Sequence, residues 1–186
     1  SLYRQSRRSC PSLNIFLIGP KKKKKSTIGR MLSQELSLNF VDVDREIEER
    51  AGADIPWIFD VEGEDGFRDR EEAVVDELTL KDQQVLATGG GAVLRATNRA
   101  CLQSRGFVVY LDTSVEQQLE RTSKDKNRPL LNSANPQDVL EKLMLVRDPL
   151  YTQTSDLIVK TDRRHPRGVV TEIVKQLARQ GIIAGD

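Results

Sequence analysis

The chain has 186 residues, with 29 basic and 28 acidic side chains and a formal net charge of +1. That length suits one domain with a substantial core, and the near-balance of charge gives no global signal for a nucleic-acid or membrane-surface partner. Cys10 and Cys101 stand far apart and supply neither a disulfide framework nor metal-ligand spacing. No apolar run approaches the ~18 residues of a membrane-spanning helix, so a cytoplasmic protein is expected.

Residues 1–12 hold three arginines, no acid and no apolar core, and are read as a flexible extension before a single domain over 13–181. Five short runs rich in Val, Ile and Leu then read as strands: NIFLIG, NFVDVD, QVLATGG, FVVYLD and DLIVKT. Amphipathic segments fall between and beyond them at 27–36, 44–51, 65–80, 98–104, 114–123, 136–147 and 167–179. This alternation predicts right-handed crossovers, a parallel sheet buried on both faces and an α/β layered fold. Ligands then belong at the carboxyl ends of the strands.

Those strand ends carry the chemistry. NIFLIG is followed by PKKKKKSTIGR, the frame of a P-loop with its interior altered. In that motif backbone N–H groups curl around phosphates, a lysine reaches the outer phosphates and a hydroxyl holds magnesium. Lys25 and Ser26 occupy the last two positions, with Thr27 beside them, but Lys22, Lys23 and Lys24 stand where small residues and a second glycine are expected. Left-handed backbone there would cost a non-glycine residue roughly 1–2 kcal/mol, and a Cβ at Lys24 would meet the incoming phosphate. Repulsion among five ammonium groups further predicts a loop that is mobile or displaced without a bound anion.

Asp42 and Asp44 close the second strand. Period-two geometry would put both carboxylates on one face, suited to magnesium and to a hydroxyl proton; the alternative makes Asp44 the N-cap of the next helix. In GEDGFRDREE, Arg68 and Glu71 lie at i, i+3, either to grip a substrate carboxylate or as a surface ion pair. Gly89, Gly90 and Gly91 follow the third strand and permit a close backbone approach to a ligand, or else a tight connection. The polar stretch SKDKNRPLLNSANPQD carries Arg128 and has the character of a lid over about 123–136, and a helix expected to end at Arg147 precedes DPLY.

In order and spacing, these segments resemble the shikimate kinase family of bacterial type, from about residue 13 to about residue 180. The resemblance implies a three-layer P-loop fold, like that of nucleoside monophosphate kinases, with strand order 2-3-1-4-5. It implies ATP-dependent phosphorylation of the 3-hydroxyl of shikimate, with magnesium, by a monomer that binds neither nucleic acid nor membrane. Asp44 would bind the substrate hydroxyls and act as base, within a substrate-binding region of about 44–72. Asp42 and Ser26 would hold the metal. Arg68 and Arg147 would grip the shikimate carboxylate beside the backbone of Gly89, Gly90 and Gly91. Lys25 and the lid arginine Arg128 would stabilise the transferring phosphoryl group, with Lys22, Lys23, Lys24, Thr27 and Arg164 lining the nucleotide site. The departure at residues 21–24 implies impaired turnover. Another small-molecule kinase of P-loop type, a non-catalytic shikimate-binding protein and a polyanion-binding module remain as rival readings.

Overall fold

The computed structural model describes residues 13–122 and 135–185. The proposed extension 1–12, Cys10, most of the proposed lid and Arg128 lie outside them. Five strands form one parallel sheet in the order β2-β3-β1-β4-β5: β1 Asn14–Ile18, β2 Asn39–Asp42, β3 Gln84–Ala87, β4 Phe107–Asp112 and β5 Leu157–Lys160. The helices are α1 Lys22–Leu36, α2 Val43–Ala51, α3 Ile55–Leu78, α4 Ala96–Arg105, α5 Val115–Thr122, α6 Pro136–Thr154 and α7 Pro166–Arg179, with a short 3₁₀ turn at Ala92–Leu94.

The central strand shows why the sheet is buried on both faces. Ile15 and Leu17 face a core completed by Ile28 and Leu32 of α1 and Ile173 and Leu177 of α7. Phe16 and Ile18 face the opposite core, with Ile47 of α2, Val74 of α3, Leu102 of α4 and Tyr151 of α6. Alternate residues of β1 thus serve opposite layers, and each fully buried large apolar side chain contributes about 1.5–3 kcal/mol. Because all strands run the same way, Gly19, Asp42, Thr88 and Asp112 emerge at a single edge of the sheet.

Several boundaries differ from the sequence expectation, each for a local physical reason. Strand β2 stops at Asp42, two residues before the predicted end, because Asp42 caps α2: its Oδ1 accepts from Asp44 N at 3.0 Å and Arg45 N at 3.4 Å. Helix α3 begins ten residues early, capped by Asp54 accepting from Trp57 N at 2.9 Å, and bends at Gly63, whose φ of 75° and ψ of 179° suit glycine. Helix α6 continues past Arg147 and through Pro149 to Thr154. The missing proline N–H removes one helical bond, but anchors on both sides hold the path: Tyr110 Oη donates to Asp148 at 2.8 Å, and the Tyr151 ring is fully buried against Tyr110.

Helix α1 departs in the functionally critical segment. It begins at Lys22, five residues before the predicted start, with Lys21 as an extended N-cap at φ −102°. Among the described residues, left-handed backbone outside glycine occurs at Ser37, Gln83 and Arg163, and at none of the lysines. The expected left-handed strain is therefore absent, because the helix absorbs the lysine run and residues 22–24 lie in helix.

Candidate active site

At the carboxyl edge of β1, β2 and β3 lies a cavity of about 340 Å³, within the usual range for small-molecule sites. Ile55, Phe59, Phe67, Leu140, Leu143 and Met144 make an apolar wall, and Asp44, Arg68, Glu71, Gly89, Gly90, Gly91 and Arg147 supply the polar groups. Elements far apart in sequence thus meet at one place. The predicted acceptor residues Asp44, Arg68, Gly89, Gly90, Gly91 and Arg147 all line it.

Asp44 lies in the first turn of α2, not on the strand, so the shared strand face expected for Asp42 and Asp44 does not exist. The two residues divide the roles: Asp42 caps the helix, while Asp44 points into the cavity with 7% of its surface exposed. Neither is Asp44 the cap, as the alternative held. In the second part of α3, Arg68 donates through Nη1 to Glu71 Oε1 at 2.9 Å, with the two residues 9% and 0% exposed. The surface-pair reading of Arg68 and Glu71 is thereby overturned. Burial pushes the Glu71 carboxyl up from its ordinary value, with the adjacent Arg68 guanidinium opposing that shift.

The glycines have a specific steric purpose. A Cβ on Gly89 would sit 2.8 Å from Asp44 Oδ1 and 3.2 Å from Glu71 Oε2, and one on Gly91 would fall onto the Arg68 guanidinium. A Cβ on Gly90 would approach Arg147 Nη1 at 3.4 Å. The run makes room for the site's own charged side chains, a demand that spacing alone does not reveal. Three buried polar atoms here have no hydrogen-bond partner among the described residues: Asp44 Oδ1, Arg68 Nε and Glu71 Oε2. Unmet buried groups cost on the order of 1–3 kcal/mol each, so their convergence on one cavity marks a place for a polar ligand.

The lysine segment borders this cavity and is built differently. Lys25 is buried at the start of α1 and donates to Gly19 O at 2.5 Å. Desolvation lowers its pKa to about 8, against the upward pull of Asp44, Asp42 and Glu71. Lys24 reaches across to Thr161 O at 2.9 Å and Lys21 to Gln118 O at 3.0 Å, so three ammonium groups rest on backbone carbonyls. Lys22 lines the cavity, with Nζ 3.5 Å from Asp44 Oδ2. Lys23 and Thr27 are exposed.

Ser26 Oγ donates to Asp42 Oδ2 at 3.1 Å. One hydroxyl and one carboxylate oxygen so disposed fit a magnesium ion that keeps most of its waters, although no cluster of three or more acidic, His or Cys ligands occurs among the described residues. Arg164 is engaged near the start of α7, donating to Lys160 O at 3.1 Å, to Gly168 O at 3.2 Å and to Glu172.

Three features of the site went unassigned in the sequence. The apolar wall is contributed by α3 and α6, whose helical periodicity looks like ordinary core. The Lys22–Asp44 contact joins the first turns of α1 and α2. Tyr151, in the DPLY segment, donates from Oη to Gly90 O at 2.5 Å, and that motif was the available signal.

Comparison with known proteins agrees with this geometry. The family model described as shikimate kinase matches residues 24–178. The chain is 60% identical over 165 residues to a shikimate kinase of Chromohalobacter salexigens, covering 89% of this chain and 92% of that protein. It is 58% identical over 166 residues to a shikimate kinase of Pseudomonas fluorescens, covering 89% and 96%. Among solved structures, shikimate kinase from Acinetobacter baumannii in complex with shikimate superposes with a TM-score of 0.87 at 46% identity, covering 94% of this chain and 98% of that one. With fold and sequence in agreement over most of its length, the chain belongs to the shikimate kinase family.

Proposed function

We propose that this protein transfers the γ-phosphoryl group of ATP to the 3-hydroxyl of shikimate, a step on the route to chorismate and the aromatic amino acids. The observation that carries the reading is the trio of buried atoms without a hydrogen-bond partner, Asp44 Oδ1, Arg68 Nε and Glu71 Oε2, gathered with Arg147 around one cavity, with only a 3.7 Å ion pair from Arg68 Nε to Glu64. Arg68 and Arg147 suit a planar carboxylate, which bidentate guanidinium groups recognise well. Asp44 suits the hydroxyls on the other side of a small ring lying against the apolar wall.

In the reaction, the substrate oxygen bonds to the γ-phosphorus as the bond to the β–γ bridging oxygen breaks; Asp44 takes the hydroxyl proton and ADP leaves. Lys25, if charged, balances the negative charge on the transferring group. Ser26 and Asp42 would hold magnesium, which supplies charge neutralisation to the phosphates. Arg128 would close over the phosphates and Arg164 would border the adenine. The working form is a cytoplasmic monomer without affinity for nucleic acid or membrane.

The lysine run slows this reaction. A phosphate-binding loop works by presenting an ordered ring of backbone N–H donors, whereas residues 22–24 are helical here and Lys21, Lys24 and Lys25 place ammonium groups on carbonyls. That arrangement favours one second reading, a protein that binds shikimate without turning it over. Titration calorimetry with shikimate and with Mg–ATP in separate experiments tests the proposal. Saturable shikimate binding with weak nucleotide binding is expected; absence of shikimate binding would falsify the acceptor assignment.

A further inference from the structure

We propose that Tyr151 is a positioning residue of the acceptor pocket, holding the Gly90–Gly91 peptide and Arg147 in the geometry that receives the substrate; this rests on the acceptor assignment above. Its ring is fully buried and stacks on Tyr110 at 4.8 Å between centroids, and its hydroxyl donates to Gly90 O at 2.5 Å. The ring alone would satisfy the core, so the hydroxyl demands its own account. A buried phenol group needs a partner, and this one takes its partner from the glycine run that lines the ligand cavity, 61 residues away in sequence.

Fixing that carbonyl fixes a peptide plane, because the Gly91 N–H must point opposite to the Gly90 C=O in a trans peptide. Neither glycine has a side chain to hold the plane in place. The Arg147 guanidinium faces the same glycine: a Cβ on Gly90 would stand 3.4 Å from Arg147 Nη1. One hydroxyl therefore fixes a backbone wall of the pocket beside one of its two cavity-lining arginines. Burial pushes the phenol up to about 12, so it keeps its proton and remains a donor across the working pH range. The unbroken run of α6 through Pro149 brings the tyrosine, four residues after Arg147, onto the same side of the helix.

Tyr151→Phe keeps the ring and its stacking and removes only the donor. Shikimate affinity, measured by calorimetry without nucleotide, should fall about five- to tenfold, the usual consequence of losing one buried hydrogen bond. The melting temperature should move by only about 4 °C or less. In the Lys22→Gly/Lys24→Gly background, KM for shikimate should rise with kcat nearly constant, since the contact serves ground and transition states alike. Thr79→Val removes a buried hydroxyl at the far end of α3, outside the cavity lining, so it should bind shikimate like the parent. Unchanged affinity in Tyr151→Phe, or an equal loss in Thr79→Val, overturns the inference while leaving the acceptor assignment standing. A parent protein that does not bind shikimate overturns both.

Discussion

The acceptor pocket and the lysine-filled loop adjoin each other at one sheet edge, yet they meet the cost of buried charge in opposite ways. In the pocket, Asp44, Arg68 and Glu71 each keep a buried polar atom without a hydrogen-bond partner, and glycines make room for them. In the loop, the ammonium groups of Lys21, Lys24 and Lys25 rest on the carbonyls of Gln118, Thr161 and Gly19. A site that waits for a ligand carries unmet polar groups; a segment that has become structural satisfies its own. On the proposed function, the comparison assigns acceptor binding to the pocket and turnover to the loop.

The largest expected effect concerns the pocket. Glu71→Ala strips the buried Arg68 guanidinium of its 2.9 Å partner, and breaking such a pair costs about 3–5 kcal/mol. Chemical denaturation should register that loss; stability within 1 kcal/mol of the parent, the range of an exposed pair, would place Arg68 among the ordinary surface cations. On the loop side, Lys22→Gly/Lys24→Gly should restore a ring of N–H donors and raise the phosphorylation rate about a hundredfold, the scale on which charge-stabilising donors act. ADP release coupled to a dehydrogenase reads it, and equal rates in parent and variant would mean that the lysines are harmless.

A smaller effect joins the two regions through pH. Lys25 has its pKa depressed from 10.5 to about 8, chiefly by desolvation. The sign for stability follows: the native state holds its proton less tightly than the unfolded chain, so the contribution of Lys25 is fully present above pH 10.5 and is lost as pH falls through about 8. Activity runs the other way. A charged Lys25 is needed opposite phosphate, so kcat/KM should decline as pH rises through about 8, and Lys25→Arg should abolish that limb even if the overall rate drops. A flat profile to pH 9.5 would remove Lys25 from the reaction. The smallest effect is expected from Lys22→Ala. Its ammonium lies 3.5 Å from Asp44 and is nearly half exposed, so removing it should improve shikimate affinity by no more than about fivefold, in a salt-dependent way. Weaker binding would show that Lys22 assists the acceptor rather than competing with it.

Much of this was legible from residue order. All five strands stand where short runs bounded by polar residues predicted them; β1, β3 and β4, buried on both faces, leave a continuous apolar signature, while the edge strands β2 and β5 are partly exposed. Asp44, Arg68, the three glycines and Arg147 were recognisable because each follows a strand end or sits at helical spacing in a segment with family character. Boundaries were less legible. Asp42 and Asp44 are alike in sequence, and which of them caps α2 depends on where the strand leaves the sheet. Pro149 reads as a helix stop, yet the buried Tyr151 and the Tyr110–Asp148 bond carry α6 through it. The five lysines read as a loop that should be strained, but the run enters a helix without left-handed backbone, with Lys21 and Lys24 reaching carbonyls of distant segments.

The sequence by itself determined the layered α/β architecture and the order of its motifs, since those depend on periodicity and on residue type at fixed local spacing, and the acceptor assignment came from the resemblance those motifs carry. The tertiary structure decided which groups share a cavity, which remain unpartnered, why Gly89 and Gly91 tolerate no side chain and where the lysine ammonium groups come to rest. Those outcomes depend on desolvation and on contacts between residues dozens of positions apart, such as Tyr151 with Gly90, and such energies exist only once the chain has folded.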